Sequence, residues 1–422
     1  MQTFSDVACT VCGCVCDDLQ LQIDNGRIVR LQGACNLAEP WLLALNDCQA
    51  APAAINGCAT TYDAAMQRAV RLLRASSNPL IFGLSRSSTP GQRAAVRLAE
   101  RLGANIDTTA SVCHGPSIMA IQQVGESTCS LGEVRNRADL VIFWGANPMV
   151  SHPRHFERYS VDPVGQFLPR GREDRTVVVV DTKPTATSER ADVFLCIRPE
   201  MDFEVLWTLR ALIRGQQPTM CCDLGVPLAA VTDLAKKMTQ CKYGVVFFGL
   251  GLAQRGLGHL TVEALLRLTD ELNDHTRFCA RRLRLPGDVT GADSVLCWQT
   301  GYPFAINMGR GFPRYNPGEF TANELLARNE VDACLLIGSE SVSLLSEPAQ
   351  GWLHQIPTIV LEYPHLGTPF PPSVRFTTAV YGVHARGTAY RMDEVPIPLQ
   401  RVMASSLKTD EDVLTELIRS FD

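Results

Sequence analysis

The hydrophobic rhythm of this 422-residue chain changes after residue 57. Before that point the clearest pattern is an alternation. Leu19-Gln-Leu-Gln-Ile-Asp24 and Arg27-Ile-Val-Arg-Leu31 switch between apolar and polar residues on either side of Asn25-Gly26. A period of two predicts strands, and Asn-Gly predicts a tight hairpin turn. Beyond residue 57 the pattern becomes short, continuous apolar runs separated by stretches of helical period. Tyr62–Ala75 and Thr89–Leu102 read as helices. Segments 78–84, 139–145, 175–181, 244–251, 332–338 and 357–362 read as strands. Apolar runs closed by Gly or Asp predict parallel strands covered on both faces. The expected fold class is α/β: a small N-terminal β domain over 1–57, then two Rossmann-like parallel-sheet domains. One is discontinuous, 58–112 with 242–422. The other is 113–241.

Open parallel sheets bind ligands outside the carboxyl ends of their strands. Three predicted strand ends carry ligand-type residues: Gly145-Ala-Asn147-Pro148, Asp181-Thr-Lys183-Pro and Gly249-Leu-Gly251. Asn147, Asp181, Lys183, Gly249 and Gly251 are therefore candidate cofactor-binding residues. Turns of this kind expose N–H groups that can cradle phosphate. They also end strands in any α/β protein. Their repetition is what points to an extended ligand with more than one phosphate.

Composition narrows the class. Hydrophobic residues make up 46% and charged residues 20%, as in a compact globular protein. A net charge of -5 argues against a general nucleic-acid binder. The start, Met1-Gln-Thr-Phe-Ser-Asp6, lacks a basic segment followed by an apolar one, and the apolar runs are too short to span a bilayer. A cytoplasmic location is expected, with no membrane partner. Sixteen cysteines then favour metal ligands and buried thiols over disulfides. Cys196, Cys241, Cys297 and Cys334 read as small core residues, and Cys221-Cys222 as structural.

The remaining cysteines are patterned. Cys9-Thr-Val-Cys12-Gly-Cys14-Val-Cys16 is followed by Cys35 across the predicted hairpin. A C-x2-C-x3-C loop with a returning fourth thiol can hold an iron–sulfur cluster. The same spacing can hold zinc. Cys14 is an extra thiol, expected to point away; Cys48 and Cys58 are weaker candidates. Downstream, Ser111-Val-Cys113-His114-Gly-Pro offers a thiol for a soft metal or for nucleophilic chemistry. Taken alone, Arg281-Arg282-Leu-Arg284 reads as a solvated basic face.

Several of these segments resemble the B subunit of formylmethanofuran dehydrogenase and the matching subunit of bacterial formyltransferase/hydrolase complexes. They are Cys12-Gly-Cys-Val-Cys16-Asp17-Asp18, residues 110–118, 132–139, Phe143-Trp-Gly-Ala-Asn-Pro148, His152-Pro-Arg-His155, 300–303, 313–319 and 387–392. They span nearly the whole chain in one order. The resemblance implies a molybdopterin oxidoreductase fold lacking the capping domain, with an iron–sulfur domain at the N-terminus. It implies a [4Fe-4S] cluster on Cys9, Cys12, Cys16 and Cys35. It also implies tungsten or molybdenum held by two pterin guanine dinucleotides, with Cys113 as metal ligand. His114 would exchange a proton with, or hydrogen-bond to, a formate-like group, and Arg284 would clamp it. Expected partners are the A, C and D subunits, with a methanofuran-like formyl carrier handled by A. Some positions depart from the family. Leu285-Pro286 replaces Gly-His after the arginine, Gly338-Ser-Glu340-Ser replaces Ser-Asp-Pro-Gly, and Leu366 replaces an arginine. Two functions stay open: a redox subunit acting on carbon dioxide and formate, or a non-redox scaffold. A generic formate dehydrogenase fragment fits less well, because 313–319 and 387–392 resemble the narrower family.

Overall fold

Asn25 and Gly26 both adopt left-handed backbone, φ 47° and 74°, as the tight turn of a twisted hairpin requires. The flanking strands Leu19–Asp24 and Arg27–Gln32 pair antiparallel, and Gln2–Val7 adds a third strand on the other side. Alternation puts Leu19, Leu21 and Ile23 inside, each 7% exposed or less. The structure, a computed structural model, describes residues 1–48, 50–219, 222–254 and 256–421.

The chain divides into two units, one of 1–112 with 285–422 and one of 113–284. The second is a five-stranded sheet in the order Val193–Cys196, Thr176–Asp181, Leu140–Trp144, Tyr243–Phe248, Arg277–Arg282. Every neighbouring pair in it is parallel. The runs Val141–Trp144, Val177–Val180 and Val245–Phe248 have no exposed surface, which is why they read as unbroken apolar stretches.

The first unit carries a nine-stranded sheet. Its centre is parallel: Asn105–Thr108, Pro79–Gly83, Ala333–Ile337, Thr358–Glu362 and Val374–Thr377 lie side by side in that order. Antiparallel strands close both margins, Ile306–Asn307 with Arg314–Tyr315 at one and Ala53–Ile55 with Cys58–Thr60 at the other. Helices Tyr62–Ala75 and Thr89–Leu102 have the predicted bounds. Thr61 caps the first by accepting from Ala64 N at 3.3 Å, and Gly103 ends the second in left-handed conformation, φ 63°.

Two expected boundaries need correction. The sequence places residues 242–284 in the discontinuous domain, yet Tyr243–Phe248 pairs with Leu140–Trp144 and belongs to the second unit. Residues 1–57 do not stand apart either: they group with the first unit, and Ala53–Ile55 is a strand of its large sheet. Burial also revises the cysteines. Cys334 is a core thiol, Cys241 is half-buried, and Cys196 and Cys297 are exposed. Cys221 lies outside the described residues. No helix among the described residues is long and apolar enough to cross a membrane.

Candidate functional site

The N-terminal loop turns on two backbone bonds: Cys9 N donates to Cys16 O at 2.8 Å and Val15 N to Cys12 O at 3.1 Å. Cys9, Cys12, Cys14 and Cys16 are buried. Cys9 lies within electrostatic reach of Cys12, Cys16 and Cys35; burial first, then these neighbours, pushes its thiol well above the usual range. Among the described residues no group of three metal-ligating side chains is tight enough to enclose an ion. The thiols are thus neighbours without being drawn onto a metal. Their proximity is the weightier fact, because like thiols crowded in a dry loop raise one another's cost of ionisation, and a cation relieves it. The donor chemistry, three soft sulfurs from one loop and a fourth from beyond the hairpin, suits an iron–sulfur cluster. Cys14 does not point away as expected. It is fully buried, and its thiol is hydrogen-bonded to Cys12 and Cys16. Its position between two expected ligands is the only sequence signal for this.

In the second unit, the carboxyl edge of the parallel sheet gathers Asn147, Asp181, Lys183, Gly249, Gly251 and Arg284. Asn147 precedes the short helix Pro148–Ser151, and its Oδ1 accepts from Thr187 Oγ1 at 2.7 Å. Asp181 accepts from Thr182 N at 2.7 Å. Lys183 is exposed. The two glycines serve a close backbone approach. Gly249 N donates to Trp144 O and Gly251 N to Gly145 O, both at 3.1 Å. A Cβ on Gly249 or Gly251 would fall 2.6 or 2.8 Å from Gly145 O. Their N–H groups are committed to the protein, so an incoming phosphate must use other donors.

Arg284 is built in rather than solvated: Arg281 and Arg284 are 1% and 2% exposed. The basic-face alternative is therefore wrong for both. Arg281 Nη1 donates to Thr128 Oγ1 at 2.6 Å, and Arg282 pairs with Glu126 at 3.7 Å. Two histidines pin the backbone that follows. His114 Nε2 faces Leu283 O at 3.1 Å, and His152 Nε2 faces Arg284 O at 2.9 Å. A carbonyl only accepts, so each Nε2 carries the proton. His114 Nδ1 then accepts from Ser117 Oγ at 3.1 Å and His152 Nδ1 from Ser151 Oγ at 2.8 Å. Neither nitrogen of His114 is free here, and a proton exchange would require the Ser117 bond to be given up. Sequence reasoning missed His152; the His152-Pro-Arg-His155 segment is its only trace. Cys113, 3% exposed, immediately precedes His114 and the helix Gly115–Val124.

These histidines make acid stability testable. Burial holds His114 down to about 3, aided by the charges of Arg284 and Arg282. Burial likewise holds His152 to about 4 and His155 to about 3. In the unfolded chain all three titrate near ~6.5. A depressed folded pKa gives stability that is present above the unfolded value and lost as pH falls toward the folded one. Three extra protons on the unfolded chain give a slope of about 4 kcal/mol per pH unit once all are taken up. Hydrogen exchange across 140–284 between pH 7 and 4.5 should show this loss, and His155→Phe should flatten it. An unchanged profile in that variant would remove His155 from the account.

The first unit has its own cavity at the carboxyl ends of Ala333–Ile337 and Thr358–Glu362. It measures about 380 Å³ and is lined by Trp41, Arg86, Ser339, Glu340, Glu362 and Leu366, among others. Glu362 accepts from Ser339 N at 2.9 Å and Ser339 Oγ at 2.6 Å. Burial, then the charge of Glu340, raises its pKa. Glu340 accepts from Ser85 Oγ at 2.5 Å and lies 3.8 Å from Arg86 Nε. Trp41 Nε1, Glu340 Oε2 and both nitrogens of His365 are buried without a hydrogen-bond partner. Orphaned polar atoms around a cavity indicate room for a polar ligand. Arg86, which the sequence did not single out, supplies a cation beside the altered Glu340 and Leu366 turns.

The comparisons agree with this architecture. The chain is 37% identical over 98% of its length to the B subunit of tungsten-containing formylmethanofuran dehydrogenase 2 of Methanocaldococcus jannaschii, and covers 97% of it. Among solved structures, the formyltransferase/hydrolase complex FhcABCD of Methylorubrum extorquens, in complex with methylofuran, contains a chain matched with TM-score 0.70 and 27% identity. The match covers 87% of this chain and 98% of that one. Acetylene hydratase of Pelobacter acetylenicus shares the fold alone, at TM-score 0.72 and 12% identity over 99% of this chain and 69% of that one. No protein-family model matches the chain.

Proposed function

Because the chain belongs to the family of formylmethanofuran dehydrogenase B subunits, we propose that it is the redox subunit of a complex of that type, working with A, C and D partners in one-carbon metabolism. The observation that carries this reading is that Cys12 and Cys16, in the same buried loop, and the half-buried Cys35, across the hairpin, all lie within electrostatic reach of Cys9. These residues would hold a [4Fe-4S] cluster. Cys113 would be a thiolate ligand to tungsten or molybdenum carried by pterin guanine dinucleotides. When bound, that metal centre supplies two-electron exchange between carbon dioxide and formate. The chain's own residues supply the surroundings. Arg284, its carbonyl fixed by His152, would offer a guanidinium to a carboxylate. His114 stays neutral and holds the preceding carbonyl, which keeps Arg284 in register. Asn147 and Asp181 would meet the polar parts of one dinucleotide, and the Arg86 cavity those of another. A formyl carrier of the methanofuran type would be handled by the A partner.

A second reading has one specific observation behind it. Glu340 and Glu362 crowd the first unit's cavity with negative charge, which opposes a pyrophosphate. A chain that has kept the fold and become a scaffold in a formyltransferase/hydrolase complex would tolerate this. Elemental analysis of the anaerobically purified complex separates the two. The redox reading expects about four iron and four acid-labile sulfide per chain, with tungsten or molybdenum. Zinc without sulfide, or a preparation lacking both pterin metals, would support the scaffold.

A further inference from the structure

Outside these sites the second unit holds a pair of thiols that the proposed function does not use. Cys279 lies in Arg277–Arg282, the strand at the margin of the five-stranded sheet. Segment 127–129 runs alongside it. Ala280 N donates to Ser127 O at 2.8 Å, Ser127 Oγ to Phe278 O at 3.0 Å, and Thr128 Oγ1 to Ala280 O at 3.2 Å. The Cys279 Sγ reaches Thr128 O, on the peptide that leads into Cys129, at 3.5 Å. The two side chains are themselves hydrogen-bonded. Cys279 is fully buried and Cys129 is 5% exposed, beneath the exposed Thr128. A backbone pairing that brings two cysteines side by side, thiol to thiol, is what a disulfide needs.

We propose that Cys129 and Cys279 form a reversible dithiol that hydrogen peroxide oxidises to a disulfide, stapling segment 127–129 to the sheet margin. Cys279 is the attacking sulfur. Tyr243 Oη lies 3.5 Å from it and can donate to a thiolate. Cys129 donates to it as well, and the Cys129 bond first, then that of Tyr243 and the charge of Arg277, hold the Cys279 thiol below the usual range. The Cys279 thiolate attacks one peroxide oxygen and the O–O bond breaks. Cys279 becomes a sulfenic acid, and the other oxygen leaves as water with the displaced proton. Cys129 then loses its proton and attacks the sulfenic sulfur. The S–S bond forms, the S–O bond breaks, and a second water leaves. Two thiols lose two electrons and two protons, and one peroxide becomes two waters. A small oxidant suits the site, because only Cys129 touches solvent. The product would fix the segment joining helices Gly115–Val124 and Leu131–Arg137 to the strand that leads into Arg284.

The test uses the full-length chain in its complex, treated with stoichiometric hydrogen peroxide, alkylated under denaturing conditions and digested without reduction. A peptide pair joined at Cys129 and Cys279 is expected, lighter by two hydrogens and released by dithiothreitol. Unfolding of 113–284 should shift to higher temperature in the oxidised sample and return on reduction. In Cys129→Ser, dimedone should instead trap a sulfenic acid on Cys279; in Cys279→Ser neither product should form. Full alkylation of both cysteines after peroxide, with Cys58 already oxidised, would overturn the proposal. So would a disulfide joining either residue to a third cysteine.

Discussion

Cys113→Ala is expected to abolish dye-linked formate oxidation by the complex, a fall of roughly a thousandfold or more, or about 4 kcal/mol of transition-state stabilisation. The proposed role of this thiol is to ligate the metal. The other two buried thiols described in its unit, Cys129 and Cys279, are hydrogen-bonded to each other and do not replace it. A soft thiolate tunes tungsten or molybdenum in a way that alanine cannot and that serine, a hard oxygen donor, reproduces poorly. In the proposed complex, assembly and formyl-carrier hydrolysis by the A partner should survive, because a hydrolytic site on that partner would not use this sulfur. A wild-type complex already without dye-linked activity, in which Cys113→Ala changes nothing, would favour the scaffold. Wild-type activity that persists undiminished in the variant would overturn the metal-ligand assignment.

Asp107→Ala should be the most damaging single substitution for stability in the first unit, costing about 3–5 kcal/mol. Asp107 is fully buried at the end of Asn105–Thr108. Its carboxylate accepts from Thr108 N at 3.0 Å, Ala305 N at 2.9 Å, Ala322 N at 2.7 Å and Ser111 Oγ at 2.6 Å. Alanine would leave three buried N–H groups without an acceptor. Burial raises the carboxyl to about 7 while those donors pull it back, so part of the loss is offset by removing a costly buried charge. Asp107→Asn keeps one good acceptor and should cost about half as much. The position also bears on the site, since Ser111 lies in the Thr109–Val112 turn that runs into Cys113. Denaturant titration measures the loss, and a cost below about 1 kcal/mol would show that water replaces the carboxylate.

Local pattern is legible where local physics decides. The Asn25-Gly26 hairpin, both early helices and the buried strands follow from period and turn chemistry. What the sequence does not carry is which sheet a strand joins. Tyr243–Phe248 and Ala333–Ile337 are both unbroken apolar runs, yet they lie in different sheets, and nothing in such a run names its neighbour. Arg281 and Arg284 mislead for a similar reason. A cluster of cations reads as solvated until a Thr128 hydroxyl is seen beside Arg281 and a Glu126 carboxylate beside Arg282. Arg86 and His152 have no motif of their own; distant residues give them their places. Cys14 misleads because a place between two expected ligands does not fix the direction of its side chain.

The way the large sheet is threaded has a consequence for biosynthesis. Pro79–Gly83 pairs directly with Ala333–Ile337, although the whole second unit is encoded between them. On the ribosome, residues 113–284 emerge as an uninterrupted stretch and can close their five strands at once. The hydrophobic strand 79–83 must wait, one edge unpaired, until its partner is translated. An unpaired apolar edge is a template for wrong pairing. Ribosome-bound chains halted near residue 325 should therefore be rich in holdase chaperones contacting the first hundred residues, while the inserted unit already resists protease.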